Sequence, residues 1–289
     1  MGLNIIVTVK QVPDTHHVGA NAMKEDGTVN RAALPAIFNP EDLHALEEAL
    51  SLRERFGGHV TCITMGPPKA VDVLRDCLYR GADDVVLISD PAFAGADTLA
   101  TSYALKCAVS KLGDYDLVLC GRQAIDGDTA QVGPQLAEKL GIDQVSSVVA
   151  VRTVADGTIT VQRNTEQGHQ VVRSRLPVLL TITDEANEPR VPSAKRVMAY
   201  KGIGAQKIDD YDEAYLAGEQ RTRTRDVIRI WDAAMIAAEP AQCGLSGSPT
   251  KVKEIESVVL AAHDARQVPN NAEGIGELIA ELRREHIIG

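Results

Sequence analysis

The sequence predicts an α/β protein: a mostly parallel sheet covered by helices, an antiparallel insertion and a carboxy-terminal arm. Three observations predict it. Short apolar, largely β-branched runs alternate with helix-period segments four times before Gly141. The connections are short, which leaves right-handed crossovers on one sheet as the available topology. After Gly141 the rhythm changes to β-rich pieces, two of them joined at Asp156-Gly157, a hairpin signal.

The elements follow in order. Asn4–Lys10 (NIIVTVK) is a buried strand that breaks at Gln11-Val12-Pro13-Asp14. Residues 14–38 lack periodicity and hold the turn signal Asp26-Gly27, so a loop with a short hairpin is expected. Asn39-Pro40-Glu41-Asp42 starts a helix running to Phe56. Asn39 suits the N-cap, Pro40 the first helical position, and the two acids the positive end of the helix dipole. Leu43, Leu46, Ala49 and Leu50 recur at helical spacing. His59–Thr64 is the second strand, turning at Met65-Gly66-Pro67-Pro68 into a helix that ends near Arg80. Asp84–Ser89 is the third strand, and a helix capped by Asp97 or Thr98 runs to about Leu112. Asp116–Cys120 is the fourth strand, and Pro134–Leu140 the helix after it, closed by Gly141.

Val145–Thr153, Thr158–Arg163 and His169–Arg175 read as an antiparallel insertion spanning about 145–176, and Val178–Thr183 as a strand returning to the main sheet. Residues 1–195 are thus expected to form the α/β domain, and 196–289 an arm with a terminal helix packing on a partner. Asp184–Tyr200 holds two prolines and reads as surface loop; Ile203–Ile208 and Thr222–Ile230 are ambiguous. Asn271–Ile287 reads as a helix with Ile275, Leu278, Ile279 and Leu282 on one side, and Trp231 as an anchor for the tail.

The totals bound the function. The 289 residues are 44% hydrophobic, enough for a sizeable core, and carry a net charge of −10. A nucleic-acid binder shows basic excess, so no nucleic-acid partner is expected. No run reaches the roughly 18 apolar residues of a membrane span, and Met1–Val7 shows no basic leader pattern. Five cysteines with no C-x-x-C spacing read as buried thiols in a cytoplasmic protein, with no metal site expected. There is no G-x-x-x-x-G-K-[ST], no G-x-G-x-x-G after the first strand, and no G-x-S-x-G or H-E-x-x-H.

What survives is Cys120–Pro134, CGRQAIDGDTAQVGP. It leaves a strand and enters a helix amino terminus, where unpaired N–H groups and the helix dipole favour an anion, typically a phosphate. Gly121, Gly127 and Gly133 would permit close backbone approach. Thr129 and Gln131 could hydrogen-bond phosphate or ribityl hydroxyls; Asp126 and Asp128 would hold the loop or accept from a ribose. A plain strand–helix connection rich in turn formers reads the same residues equally well. Lys10 is either a phosphate partner or a surface lysine, Asn39 either a cap or a ligand group. The loops 8–13, 65–68, 89–98 and 121–133 all leave strand carboxyl ends and should converge on one cleft.

Several stretches together resemble the beta subunit of electron transfer flavoproteins: VTVKQVPD (7–14), NPED (39–42), HVTCITMGPP (59–68), VLRDCLYRGAD (73–83), GADTLATS (95–102), CGRQAIDGDTAQVGP (120–134), LPVLLT (176–181) and SPTKV (248–252). The resemblance covers nearly the whole chain. It implies a Rossmann-like core, and a heterodimer with an alpha subunit that holds the electron-transferring FAD. Family beta subunits hold AMP or a second FAD. The AMP type shows DDDCNQTG, whereas this chain has DGDTAQVG at 126–133, as in the electron-bifurcating branch. The resemblance therefore implies FAD in this subunit, with AMP as the alternative, and NADH as electron donor. One electron route leads to the alpha-subunit FAD and a dehydrogenase or quinone-reducing acceptor, the other to ferredoxin or flavodoxin. Nucleotide contacts carry over to Thr8, Val9 and Lys10, to Asn39, Pro40, Glu41 and Asp42, and to Met65 and Gly66. Asp97 and Thr98 join them, with Gly121, Arg122, Gln123, Ala124, Ile125, Asp126, Gly127, Asp128, Thr129, Ala130, Gln131 and Val132. No side chain is assigned an acid or base role. The apolar anchor by which AMP-type members engage acyl-CoA dehydrogenases falls at Ala194, so that docking mode is not expected. A reading of another class, a stand-alone nucleotide-binding α/β module, predicts a stable monomer.

Overall fold

A computed structural model describes residues 2–14, 35–203, 227–250 and 267–288. The chain divides into two compact units, Met1–Val252 and Lys253–Gly289. In the first, the strands are β1 (Leu3–Thr8), β2 (Gln11–Pro13), β3 (Ala36–Phe38), β4 (Gly58–Met65), β5 (Asp84–Ile88), β6 (Leu117–Gly121), β7 (Asp143–Ala155), β8 (Thr158–Thr165), β9 (Gly168–Arg175), β10 (Val178–Ile182) and β11 (Ile228–Trp231). The helices are α1 (Pro40–Phe56), α2 (Val71–Arg80), α3 (Thr98–Leu112), α4 (Val132–Leu140) and α5 (Ala194–Tyr200).

Nine strands form one sheet in the order β11-β5-β4-β1-β6-β10-β7-β8-β9. Every pair from β11 to β7 is parallel, and the β7–β8 and β8–β9 pairs are antiparallel. The predicted α/β class holds. Side-chain alternation divides the core in two, as a sheet buried on both faces requires. Ile5, Val7, Cys62 and Leu119 face the cluster that includes Leu46 and Leu50 of α1 and Leu74 of α2. Ile6, Ile63, Val118 and Cys120 face the other, with Leu105 of α3 and Leu136 of α4.

Three expectations are refined. The antiparallel insertion is present and is continuous with the main sheet. β7 is 13 residues long, and its first half pairs parallel with β10 (Val178↔Asp143, Ile182↔Val148). Its second half pairs antiparallel with β8 (Ala155↔Thr158), so the three β-rich pieces extend the main sheet. The switch occurs at a bulge, where Ser147 takes a left-handed backbone (φ 58) and its N–H donates to Thr181 Oγ1 at 3.0 Å. Second, the ambiguous stretch around 222–230 contains β11 at Ile228–Trp231, a further parallel strand at the sheet edge; residues 204–226 lie outside the described part. Trp231 is buried in the second cluster, with Lys111 and Arg229 over its ring. Third, residues 184–200 are not a free surface loop. The Asn187 amide donates to His44 O (3.1 Å), and Arg190 pairs with Glu47 (2.8 Å) and Glu54 on α1 before α5 begins. β2 and β3 pair antiparallel (Pro13↔Ala36); the hairpin expected within 14–38, with its turn signal Asp26-Gly27, falls largely on residues 15–34, which lie outside the described part.

The second unit contains α6 (Ala272–Arg284), whose Asn271 side chain caps the Gly274 N–H at 2.8 Å. Ile275, Leu278 and Ile279 lie 49%, 36% and 42% exposed on one side of it. That is an apolar stripe wide enough to be a packing surface.

The Arg190 tether has a testable pH signature. Burial pushes the Glu47 carboxyl up, but bonds from the Arg190 guanidinium and N–H outweigh it and hold Glu47 below its ordinary 4.5. A carboxylate with a depressed folded pKa stabilises the fold above its unfolded value, and the contribution is lost as pH falls through the folded value. Arg190→Met should therefore cost roughly 1–2 kcal/mol near neutral pH, discounted for partial exposure. The difference from wild type should shrink in acid, as read from urea unfolding along a pH series.

Candidate functional site

The carboxyl ends of β1, β4, β5 and β6 open into one cleft of about 900 Å³. The four loops expected to converge do so: Thr8–Lys10, Met65–Pro68, Ser89–Thr98 and Gly121–Gly133 all contribute lining residues. Its floor is apolar, built from Leu87, Phe93, Leu105 and Cys120, and Ile230 of β11 forms part of its rim. Burial pushes the Cys120 thiol up to about 12, so it is a floor residue and not a nucleophile.

The first turn of α1 assembles one side. Asp42 is buried, and its carboxylate accepts from the Lys10 N–H (2.8 Å) and the Gly121 N–H (3.1 Å), tying the ends of β1 and β6 together. Asn39 is fully buried at the N-cap position but does not cap with its side chain. Its amide donates to Gln123 O (2.9 Å) and its oxygen accepts from the Ile125 N–H (3.1 Å). Glu41 accepts from the Gln123 N–H (3.0 Å) and pairs with the Arg122 guanidinium (2.8 Å). Three positions at the helix start, Asn39, Glu41 and Asp42, thus grip the loop after β6. Pro40 opens α1 between them.

Gly121 is required by this arrangement. A Cβ there would stand 2.5 Å from Asp42 Oδ1 and 2.7 Å from its backbone N. Gly133 is equally constrained, since a Cβ would meet Thr181 Cγ2 at 2.8 Å where α4 crosses β10. Gly127 differs: a Cβ there would meet nothing within 4 Å, so close packing does not explain it.

The loop closes with a turn at Ala124–Asp128, then Asp128 (φ 47) and Ala130 (φ 51) adopt left-handed backbones. Gln131 returns to the right-handed region and leads into α4 without capping it by its side chain. A left-handed residue followed by a right-handed one turns successive N–H groups toward a common point, a concavity suited to an anion. The first N–H groups of α4 add to it. Gln123 Nε2 steadies Asp128 at 3.1 Å, and the Thr98 hydroxyl donates to Gln131 Oε1 at 2.9 Å, joining the third loop to the fourth. At the mouth, Lys10 Nζ lies 2.7 and 2.8 Å from the two oxygens of Asp126.

Most predicted positions line the cleft: Thr8, Val9, Lys10, Asp42, Met65, Gly66, Asp97, Thr98, Gly121–Ala124 and Gly127–Val132. Asn39, Pro40, Glu41, Ile125 and Asp126 are outside the lining and act, where they act, on the loop. Sequence reasoning missed the floor residues and Ile230. The floor was findable, because Leu87, Leu105 and Cys120 lie within recognised elements; Ile230 was not, because its strand was not assigned. Among the described residues no cluster of side chains is arranged to hold a metal ion, and no helix is long and apolar enough to cross a membrane.

Residues 26–213 match the electron transfer flavoprotein domain family. An electron transfer flavoprotein subunit beta from Clostridium acetobutylicum is 42% identical over 286 residues, covering 99% of this chain and 100% of the relative. The caffeyl-CoA reductase-Etf complex subunit CarD of Acetobacterium woodii is 39% identical over 288 residues, covering 99% and 100%. Protein FixA of Azorhizobium caulinodans is 41% identical over 288 residues, covering 97% and 94%.

Asp42 gives the site a pH signature of the opposite sign to that of Glu47. Burial raises its pKa from 3.8 to about 7, against the pull of the Asn39, Gly121 and Lys10 hydrogen bonds and the Lys10 charge. The folded protein holds that proton more tightly than the unfolded chain. The contribution of Asp42 is therefore full below about pH 4 and is lost as pH rises through about 7. Asp42→Asn keeps one acceptor and turns an N–H toward a backbone N–H, which should cost roughly 1–3 kcal/mol. Its urea-unfolding stability should also decline less between about pH 4 and about pH 8 than that of wild type.

Proposed function

Because the chain belongs to the electron transfer flavoprotein family, as one of its beta subunits, we propose that its cleft binds FAD and works as a redox site within a heterodimer. The observation that carries this reading is the loop Gly121–Val132: a backbone N–H concavity at the start of α4, fixed in place by Asn39, Glu41 and Asp42. In the proposal this concavity holds the pyrophosphate. Thr129 and Gln131 add hydrogen bonds, and Lys10, paired with Asp126, is the cation at the mouth that would turn to the phosphates. Thr8, Val9, Met65 and Gly66 flank the nucleotide from the neighbouring strand ends, with Asp97 and Thr98 opposite. The apolar floor suits an aromatic ring system, and a cleft of about 900 Å³ is at the large end of small-molecule sites.

Bound FAD would supply hydride and single-electron chemistry. The work of this chain is to bind, orient and exclude water. Asp97 already accepts from the Ala100 and Thr250 N–H groups and Asp128 from Gln123 Nε2, so neither is placed as a general base. NADH is the proposed donor. Electrons leave for the alpha-subunit FAD and on to a dehydrogenase or quinone-reducing acceptor, and for ferredoxin or flavodoxin. The name of the CarD relative, which places it in a caffeyl-CoA reductase complex, supports a CoA-ester dehydrogenase or reductase as acceptor. Similarity to FixA and CarD, together with DGDTAQVG at 126–133, supports the bifurcating branch.

A partner surface is available. Ile275, Leu278 and Ile279 of α6 form the proposed contact of the carboxy-terminal arm with the alpha subunit. Val191 and Met198, 83% and 66% exposed, flank Ala194 and offer apolar contact to a dehydrogenase in its place. All five cysteines are free and buried, which suits the reducing cytoplasm in which we place the protein.

Counting cofactors per heterodimer after denaturation tests the reading. Two FAD are expected; one FAD with one AMP would assign this cleft to AMP and remove the redox role from this subunit. Thr129→Arg, which puts bulk into the concavity, should remove one flavin and leave the other. Loss of both flavins, or of neither, would show that the site is elsewhere.

A further inference from the structure

The wall of the cleft formed by residues 89–98 is fastened from a part of the chain well over a hundred residues away. Immediately after β5 the Ser89 N–H donates to Trp231 O at 2.9 Å. Asp90 accepts from the Ala92 N–H (2.8 Å) with one oxygen and from the Ala233 N–H (3.1 Å) with the other. Gly244, at φ +51, lies so close that a Cβ would stand 2.3 Å from Ala92 O and 2.8 Å from Ala94 O. Gly95, at φ +72, is pressed in the same way against Leu245. Small left-handed residues on both sides let two loops mesh where side chains would part them.

The wall ends at Asp97, where the fastening is divided between two oxygens. Oδ1 accepts from the Ala100 N–H at 3.0 Å and caps α3. Oδ2 accepts from the Thr250 N–H at 3.0 Å. The Asp97 N–H in turn donates to Ser248 Oγ at 2.8 Å, and that hydroxyl, buried at 4% exposure, donates to Gly244 O at 2.6 Å. Burial of the Asp97 carboxyl is outweighed by these backbone donors, which hold it below its ordinary range and so as an anion. The next residue, Thr98, donates to Gln131 at the start of α4. Hydrogen bonds linking Thr250 and Ser248 to Asp97, and one from its covalent neighbour Thr98 to Gln131, therefore connect this segment to the start of α4.

We propose that Asp97 and Ser248 are positioning residues through which segment 231–250 holds the 89–98 wall of the nucleotide cleft in place, so that cofactor binding and seating of this segment stabilise one another. The inference rests on the reading of the cleft as a nucleotide site. A ligand that requires Thr98 and Gln131 in place favours the seated state, and coupling of this kind is reciprocal. Simple packing would make the same contacts with no dependence on the ligand.

Backbone amide exchange of the heterodimer, stripped of flavin and reloaded with FAD, separates the two. FAD should slow exchange across 242–250 in wild type. The Thr129→Arg heterodimer, whose cleft is closed, should not show that slowing. Asp97→Asn keeps an oxygen for the α3 cap and loses the anionic partner of Thr250. Exchange across 99–103 should stay as in wild type, FAD should bind this cleft about tenfold more weakly, the effect of one net hydrogen bond, and the slowing across 242–250 should disappear. Ser248→Ala should behave alike, and Ser248→Thr, which restores the hydroxyl, should recover affinity. If wild type binds FAD in this cleft without slower exchange across 242–250, or if Asp97→Asn and Ser248→Ala both bind as wild type does, the coupling is refuted. If the cleft takes no FAD at all, the nucleotide reading falls and the coupling falls with it.

Discussion

The carboxylate of Asp42 is the contact on which the rest of the site depends. It sits buried in the first turn of a helix and spans two backbone N–H groups, one just past β1 and one at the end of β6. β1 and β6 are already neighbours in the sheet, but sheet pairing ends where the loops begin. Beyond that point nothing in a parallel sheet dictates the path of the chain. Asp42 dictates it for Lys10 and Gly121, and Asn39 and Glu41 extend the control to Gln123 and Ile125. Enclosing a carboxylate is costly unless its oxygens are satisfied, so the arrangement is stable only when both loops are present and correctly placed. The helix start thus acts as a template against which the loop is formed.

The two sides of the cleft are built by different means. The side contacted by α1 is braced from the helix start, whose partners on the loop after β6 lie 79 to 86 positions away. The opposite side is held by chain that returns after residue 226 to add β11 and then runs against the loop after β5. The cleft is therefore completed late in the sequence, by the same stretch that adds the last strand of the sheet.

This division explains what could be read from residues alone. The alternation of β-branched runs with helix-period segments marks β1, β4, β5, β6 and α1–α4 directly, because each carries its own apolar pattern. The cleft followed from topology, since parallel strands point their loops one way. Asn39 was legible as a helix start but not as a brace, because its bonds go to residues 84 and 86 positions away. β11 has four residues and its burial alternates weakly, so no local pattern separates it from loop. The segment 184–193 looked free because the residues that fix it, His44, Glu47 and Glu54, stand on α1. Local periodicity reports elements; long-range polar contacts remain silent until the fold brings their partners together.

The sheet order has one more consequence, for self-association. Among the described residues the nine-stranded sheet ends at β11 and β9, and a sheet edge offers backbone groups to any passing strand. The chain is acidic overall, yet β9 carries Arg173 and Arg175, while Arg229 on β11 is paired with Asp84 at 3.5 Å. A second copy laid against β9 would bring guanidinium groups together before its backbone could pair. Positive charge on an edge strand is a like-charge barrier to pairing with a second copy of that strand.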